Sequence, residues 1–126
     1  MQGRDSSERV GRVMTFTGQS LLGPAGSAAL LRLGSSASDM VPESSRTETS
    51  WIFFSNGYTR FSDPISAAGR AQGIALSFGK GRVVVLGEAA MLTAQIGRTP
   101  FGMNVTGIDN RKFALNIMHW LSRLLS

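Results

Sequence analysis

The chain has no cysteine among its 126 residues. That absence excludes disulfides, thiolate metal sites, iron–sulfur ligation and a cysteine nucleophile. It has one histidine, His119, so no multi-histidine metal centre can be built within one copy. Lysine is nearly absent, with only Lys80 and Lys112, and arginine carries most of the net charge of +5. No apolar run approaches the roughly 18 residues that would span a bilayer. The opening Met-Gln-Gly-Arg-Asp-Ser-Ser-Glu-Arg lacks the apolar stretch of a signal peptide. These absences set the expectation of a cytoplasmic protein with no membrane association. Gly-x-Ser-x-Gly and Gly-x-Gly-x-x-Gly patterns are missing. Gly79-Lys80-Gly81-Arg82 lacks the spacing and the following Ser or Thr of a phosphate-cradling loop. No cofactor is expected, and no catalytic residue is marked by a motif.

What is present describes an ordinary globular chain, 42% apolar and 17% charged. The length suits one domain with a real core. Residues 1–9 read as a loose polar segment and residues 10–126 as a single α/β domain with a mixed β-sheet. The basic excess is spread out, with no adjacent basic run longer than Arg111-Lys112. Nucleic-acid binders concentrate charge on one face, so a nucleic-acid partner is not expected.

Val10 to Phe16 and Leu30 to Leu33 read as short strands. Residues 34–50, rich in serine and acid, read as a loop. Trp51 to Ser55 and Tyr58 to Phe61 flank Asn56-Gly57, a type I′ hairpin signal. Their aromatic side chains suit cross-strand packing better than base stacking. Ile74 to Phe78 alternates large and small residues, as a strand with one buried face does. After Gly79-Lys80-Gly81, the run Arg82 to Leu86 reads as a strand buried on both faces, paired antiparallel with the preceding one. Ala89 to Ile96 predicts a short helix, and residues 97–110 a glycine-rich loop. A last helix follows, capped by Asp109 or Asn110. Its apolar face would be Phe113, Ile117, Trp120, Leu121 and Leu124, with Lys112, Asn116, His119 and Arg123 opposite. On that polar stripe His119 reads as a surface or interface residue.

The hairpin Gly79-Lys80-Gly81-Arg82-Val83-Val84-Val85-Leu86-Gly87, the following Glu88 and the closing Asn-Arg-Lys-Phe-Ala-Leu-Asn-Ile-Met-His-Trp-Leu stretch resemble the C-terminal part of class I glutamine-amidotransferase-like domains. The likeness is to the non-catalytic branches related to trehalose-utilisation-type proteins. It is most specific over residues 79–125 and reaches back weakly through Thr15 to Gln19. It implies a partial flavodoxin-like sheet whose first βαβ units precede the part seen here. The family's catalytic triad needs a cysteine that this chain lacks, so the resemblance argues for the fold and against glutaminase activity.

Glu88 sits where a strand gives way to a helix, the place where open α/β sheets bind ligands. It reads either as a ligand contact or as a first-turn carboxylate favoured by the helix dipole. The 97–110 loop adds Asn104, Thr106, Asp109 and Asn110 as hydrogen-bonding groups, with Arg98 and Arg111 as anion clamps. The candidate ligand-binding set is therefore Glu88, Asn104, Asp109, Asn110 and Arg111. Against it stands the reading that Asp109 and Asn110 serve only as helix caps. The leading expectation is a non-catalytic domain acting through self-association, most simply as a homodimer or higher homo-oligomer, or through a protein partner. The alternative is a small-molecule-binding or hydrolytic protein using a polar pocket around Glu88 and the 97–110 loop.

Overall fold

The computed structural model describes residues 5–41, 62–94 and 99–125. In chain order these form β1 (Ala28–Arg32), β2 (Ser38–Asp39), β3 (Ile65–Ser66), β4 (Ala71–Phe78), β5 (Gly81–Leu86), two 3₁₀ turns (Ala90–Leu92 and Gly102–Asn104) and helix α1 (Asn110–Leu121). One sheet has the order β1-β4-β5, and β2 pairs with β3 in a separate ladder. The result is a small α/β fold with antiparallel sheets. The mixed sheet expected from the sequence does not occur among the described residues, where every strand pairing is antiparallel. Parallel neighbours need a long crossover, and here the helix follows the strands instead of joining two of them. The aromatic hairpin expected over 51–61 lies outside the described residues, as do most of residues 34–50 and the positions Gln95 to Arg98.

The β4–β5 hairpin forms as expected, from Phe78 opposite Gly81 to Gly73 opposite Leu86. Gly79 takes φ +56, and Lys80 beside it keeps a negative φ, the pattern of a type II′ turn. The burial of the two strands is the reverse of the expectation. Central β4 is buried continuously from Ala71 to Ala75. Edge strand β5 alternates instead, with Arg82, Val84 and Leu86 half-buried and Val83 and Val85 exposed. A central strand is covered by its neighbours and by both layers, whereas α1 covers only one face of β5. Val84 and Leu86 pack with Leu30 and Leu31 against the core of Met91, Phe113 and Ile117. Consecutive Leu30 and Leu31 both face that core because the β1–β4 register shifts between Ala29 and Leu31. Gly73 makes room on this face, since a Cβ there would come within 3.0 Å of Leu86 Cδ2.

Val10 to Phe16 does not form a strand. Val13 and Val10 still bury against the core, but the backbone finds its partners on side chains rather than on a neighbouring strand. Asp109 accepts from the amides of Gly11 (2.8 Å) and Arg12 (3.1 Å). Asn110 accepts from the Met14 amide (2.9 Å) and donates to the Met14 carbonyl (2.8 Å). Asn116 donates to the Glu8 carbonyl (3.0 Å). Residues 8–14 thus form a strap along α1, stitched by three polar side chains.

That stitching corrects the expected helix faces. Asn116 is not on a solvated stripe; it is 1% exposed. The buried positions of α1 are Asn110, Phe113, Asn116 and Ile117, with Trp120 half-buried and Leu121 at the margin of exposure. The helix stops at Leu121, so Leu124 leaves the expected face and is exposed while Leu125 is buried. Arg123 also lies beyond the helix, at φ +64. Its amide donates to the Trp120 carbonyl (3.0 Å) and the Leu124 amide to the His119 carbonyl (2.8 Å). This is the Schellman pattern, with arginine in the left-handed position that glycine usually takes. His119 is half-buried, and its Nδ1 is buried without a hydrogen-bond partner. Of the helix expected over 89–96, the described residues 89–94 form only one 3₁₀ turn. The Thr93 hydroxyl bonds back to the Ala90 carbonyl (2.9 Å) and the Thr93 carbonyl is taken by the Met103 amide (2.7 Å), which turns the chain out of helical geometry. Among the described residues no helix is long and apolar enough to cross a membrane.

Candidate functional site

The residues singled out from the sequence gather around the start of α1. Glu88 is 6% exposed. Its two carboxylate oxygens accept from the Met91 amide at 3.0 and 3.1 Å, capping the 3₁₀ turn that stands where a helix was expected. Asn110, with no exposed surface, donates to the Met91 carbonyl (3.1 Å). Glu88 and Asn110 therefore meet on the two backbone groups of one residue. Asp109 occupies the N-cap position but makes no side-chain capping bond. Its carboxylate serves the strap amides and a 3.2 Å ion pair with Lys112. The amides of Gly11 and Arg12, with Lys112, hold its carboxyl below the ordinary value of 3.8. Asn104 ends the second 3₁₀ turn and is half-buried. Arg111 projects as an exposed residue from the first turn of α1, and Arg98 lies outside the described residues. Chemically, the cluster built by Glu88, Asp109 and Asn110 is a backbone-holding device.

A cleft that the sequence did not signal lies on the other side of Gly18. It opens between residues 15–20 and the β2 segment, with Gln72 of β4 among its lining residues. Gly18 (φ +122) is pressed so closely onto the end of β5 that a Cβ would collide with the Gly87 carbonyl and the Glu88 side chain. Gln72 donates to the Thr17 carbonyl (3.0 Å), and the Gln19 amide donates to the Gly87 carbonyl (2.9 Å). Asp39 of β2 is 8% exposed. It accepts from the Ser20 amide (2.8 Å) and the Ser20 hydroxyl, and pairs with Arg70 at 3.4 Å. Those contacts, the Ser20 hydroxyl first, lower its carboxyl pKa. In the sequence this region carries the weak extension of the resemblance over Thr15 to Gln19, with no sign of a concavity.

A third feature is apolar. Val83 and Val85 of β5, with Phe78 of β4, are exposed on the sheet face away from α1, and half-buried Leu76 joins them. Residues 17–27 cover that face only at the start of β4, where Gln72 bonds to Thr17 and Ile74 lies beside Gly23. Among the described residues no group of three His, Cys, Asp or Glu could hold a metal ion. The chain matches no family model, no curated protein and no solved structure.

Proposed function

We propose that the protein is a non-catalytic, self-associating domain in which two copies join along β5. The observation that carries this reading is the state of that strand. Among the described residues β5 is the last strand of its sheet, and Val83 and Val85 are left in water on its uncovered face. Strand edges are ordinarily blunted by lysine, proline or an outward charge. The one charged residue within β5 is Arg82, and its guanidinium is turned inward to the carbonyls of Trp120 (2.8 Å) and Leu125 (2.6 Å). Two β5 strands related by a two-fold axis run antiparallel, so each edge is the complement of the other. The pairing doubles the width of the sheet and brings the Val83, Val85, Leu76 and Phe78 strips side by side.

The amidotransferase-like resemblance supports the same edge, since further strands flank this half-sheet in such domains and none pairs with β5 beyond β4 among the described residues. The kinship itself, with a partial flavodoxin-like ancestry, is proposed only for residues 79–125, on the hairpin, Glu88 and the last helix. A ligand pocket built from Glu88 and the 97–110 loop draws less support, because Glu88, Asp109 and Asn110 use their polar atoms on backbone groups.

Sedimentation velocity at micromolar concentration tests the reading. A species of twice the 13.5 kDa chain mass is expected, and Val85→Lys should return it to the monomer with its circular dichroism unchanged. A folded monomer of the wild-type chain overturns it.

A further inference from the structure

The cleft between residues 15–20 and β2 has a cavity volume of about 550 Å³, within the range of small-molecule sites. Its walls are fixed before any ligand arrives. Gln72 holds Thr17, Gly87 holds Gln19, and Asp39 holds Ser20. Gln19 Nε2 reaches across to the Met40 carbonyl (3.2 Å) and ties one wall to the other. A cavity held in this way does not have to order its own loops on binding.

The lining chemistry is selective. Phe16 forms an aromatic wall, braced by the Phe101 ring at a centroid distance of 4.2 Å. Leu33 and Met40 add apolar surface. The hydroxyls of Thr15, Thr17 and Ser38 have no protein partner among the described residues, so each can donate or accept as a ligand requires. Among the described residues Asp39 is the only ionisable one of the lining, and neither lysine nor arginine is among them. Arg70 pairs with Asp39 from outside the lining at 3.4 Å and offsets its charge, so an anion entering the cleft finds no free cation in the described lining to receive it. A neutral molecule carrying hydroxyls meets a hydrogen-bond acceptor and three adaptable hydroxyls beside an aromatic ring.

We propose that this cleft binds an uncharged ring compound bearing neighbouring hydroxyls, of the nucleoside class. The flat base lies against Phe16 and the sugar hydroxyls turn toward Asp39, Thr17 and Ser38. Phosphorylated forms find no lysine or arginine among the described lining residues to hold their charge. The proposal is independent of the β5 pairing, which lies on a different part of the sheet.

Isothermal titration of the full chain with adenosine, adenosine monophosphate and glucose tests it. Adenosine should bind, and the monophosphate and glucose should each bind at least tenfold more weakly. Phe16→Ala and Asp39→Asn should each weaken adenosine at least tenfold. Because Asp39 also holds Ser20, Thr17→Val serves as the milder variant. It removes a hydroxyl that has no partner among the described residues and should weaken adenosine severalfold with no change in melting temperature. Leu115→Ser, on the exposed side of α1, should leave binding unchanged. Absence of adenosine binding at millimolar concentration overturns the proposal. So does equal affinity for the monophosphate or for glucose, or a Thr17→Val protein that binds as the wild type does.

Discussion

Arg82 and Trp120 meet twice: the guanidinium lies 4.9 Å from the centre of the indole ring, and Nη1 donates to the Trp120 carbonyl at 2.8 Å. The same nitrogen reaches the Leu125 carbonyl at 2.6 Å. One side chain from the start of the edge strand thus bonds one carbonyl of the last helical turn and another in the segment that follows it, at the helix end where a cation is favoured. It is the main polar tie between the hairpin and the C-terminal end of α1.

Replacing Arg82 by Met should therefore cost about 2 kcal/mol, the scale of charge-assisted hydrogen bonds left unmade. Arg82→Lys should recover only part of this, because an ammonium lacks the planar fork and the ring stacking of a guanidinium. Urea midpoints measure both. A loss within about 0.5 kcal/mol for Arg82→Met, the range of ordinary surface changes, would show that the tie is dispensable.

Arg123 sits at φ +64 in the Schellman turn. Left-handed backbone costs a residue with a Cβ on the order of 1 kcal/mol and glycine almost nothing. Arg123 also donates to the Lys80 carbonyl, but this bond is exposed. Arg123→Gly is expected to raise stability by roughly 0.5–1 kcal/mol. A lower melting temperature for the glycine variant would mean that the bond to Lys80 outweighs the backbone strain.

Asn110 and Asn116 are both buried but carry different loads. Asn110 serves Met14 twice and Met91 once, whereas Asn116 serves Glu8 alone. Asn110→Ala should cost about 3 kcal/mol or more, since it strands several buried backbone groups, and Asn116→Ala about 1–2 kcal/mol. Equal denaturant midpoints for the two variants would break this ranking.

Asp39 and Asp109 both have carboxyls lowered from 3.8, through Ser20 and Arg70 in one case and through Gly11, Arg12 and Lys112 in the other. The unfolded chain then takes up protons before the folded one does. The stabilisation is complete above the ordinary carboxylate range and is lost as pH falls through the lowered folded-state values. Stability measured from neutral to strongly acidic pH should fall steeply in that window. The fall should be shallower in Asp109→Asn, and an identical slope would show that this carboxylate is not linked to folding.

Local pattern was enough where local pattern decides. The β4–β5 hairpin follows from two β-prone runs around Gly79-Lys80, and β1 from the leucines at 30–33. Three things were hidden because they depend on distant partners. Val10 to Phe16 has the composition of a strand, yet Asp109, Asn110 and Asn116 supply the bonds a neighbouring strand would give. Asn116 reads as polar and therefore exposed until its partner, the Glu8 carbonyl, is known. Periodicity carries α1 on to Leu124 because arginine gives no warning that position 123 turns left-handed. Of the candidate site, Glu88, Asp109 and Asn110 lie together near the start of α1, with their polar atoms on backbone groups. The cleft escaped notice because its walls are a non-repetitive segment and a two-residue strand, neither of which has a periodicity to read.

The strap along α1 also imposes an order of events on the growing chain. Its bonds join residues 96, 98 and 108 positions apart. When residues 8–14 leave the ribosome, the side chains that will hold them have not been made, and the β1-β4-β5 sheet can pair before they are. Val10 and Val13 must wait in water until residues 109–117 emerge. Contacts of such long sequence separation slow folding and lengthen the exposure of apolar surface. The strap therefore cannot close until the helix that holds it has been synthesised.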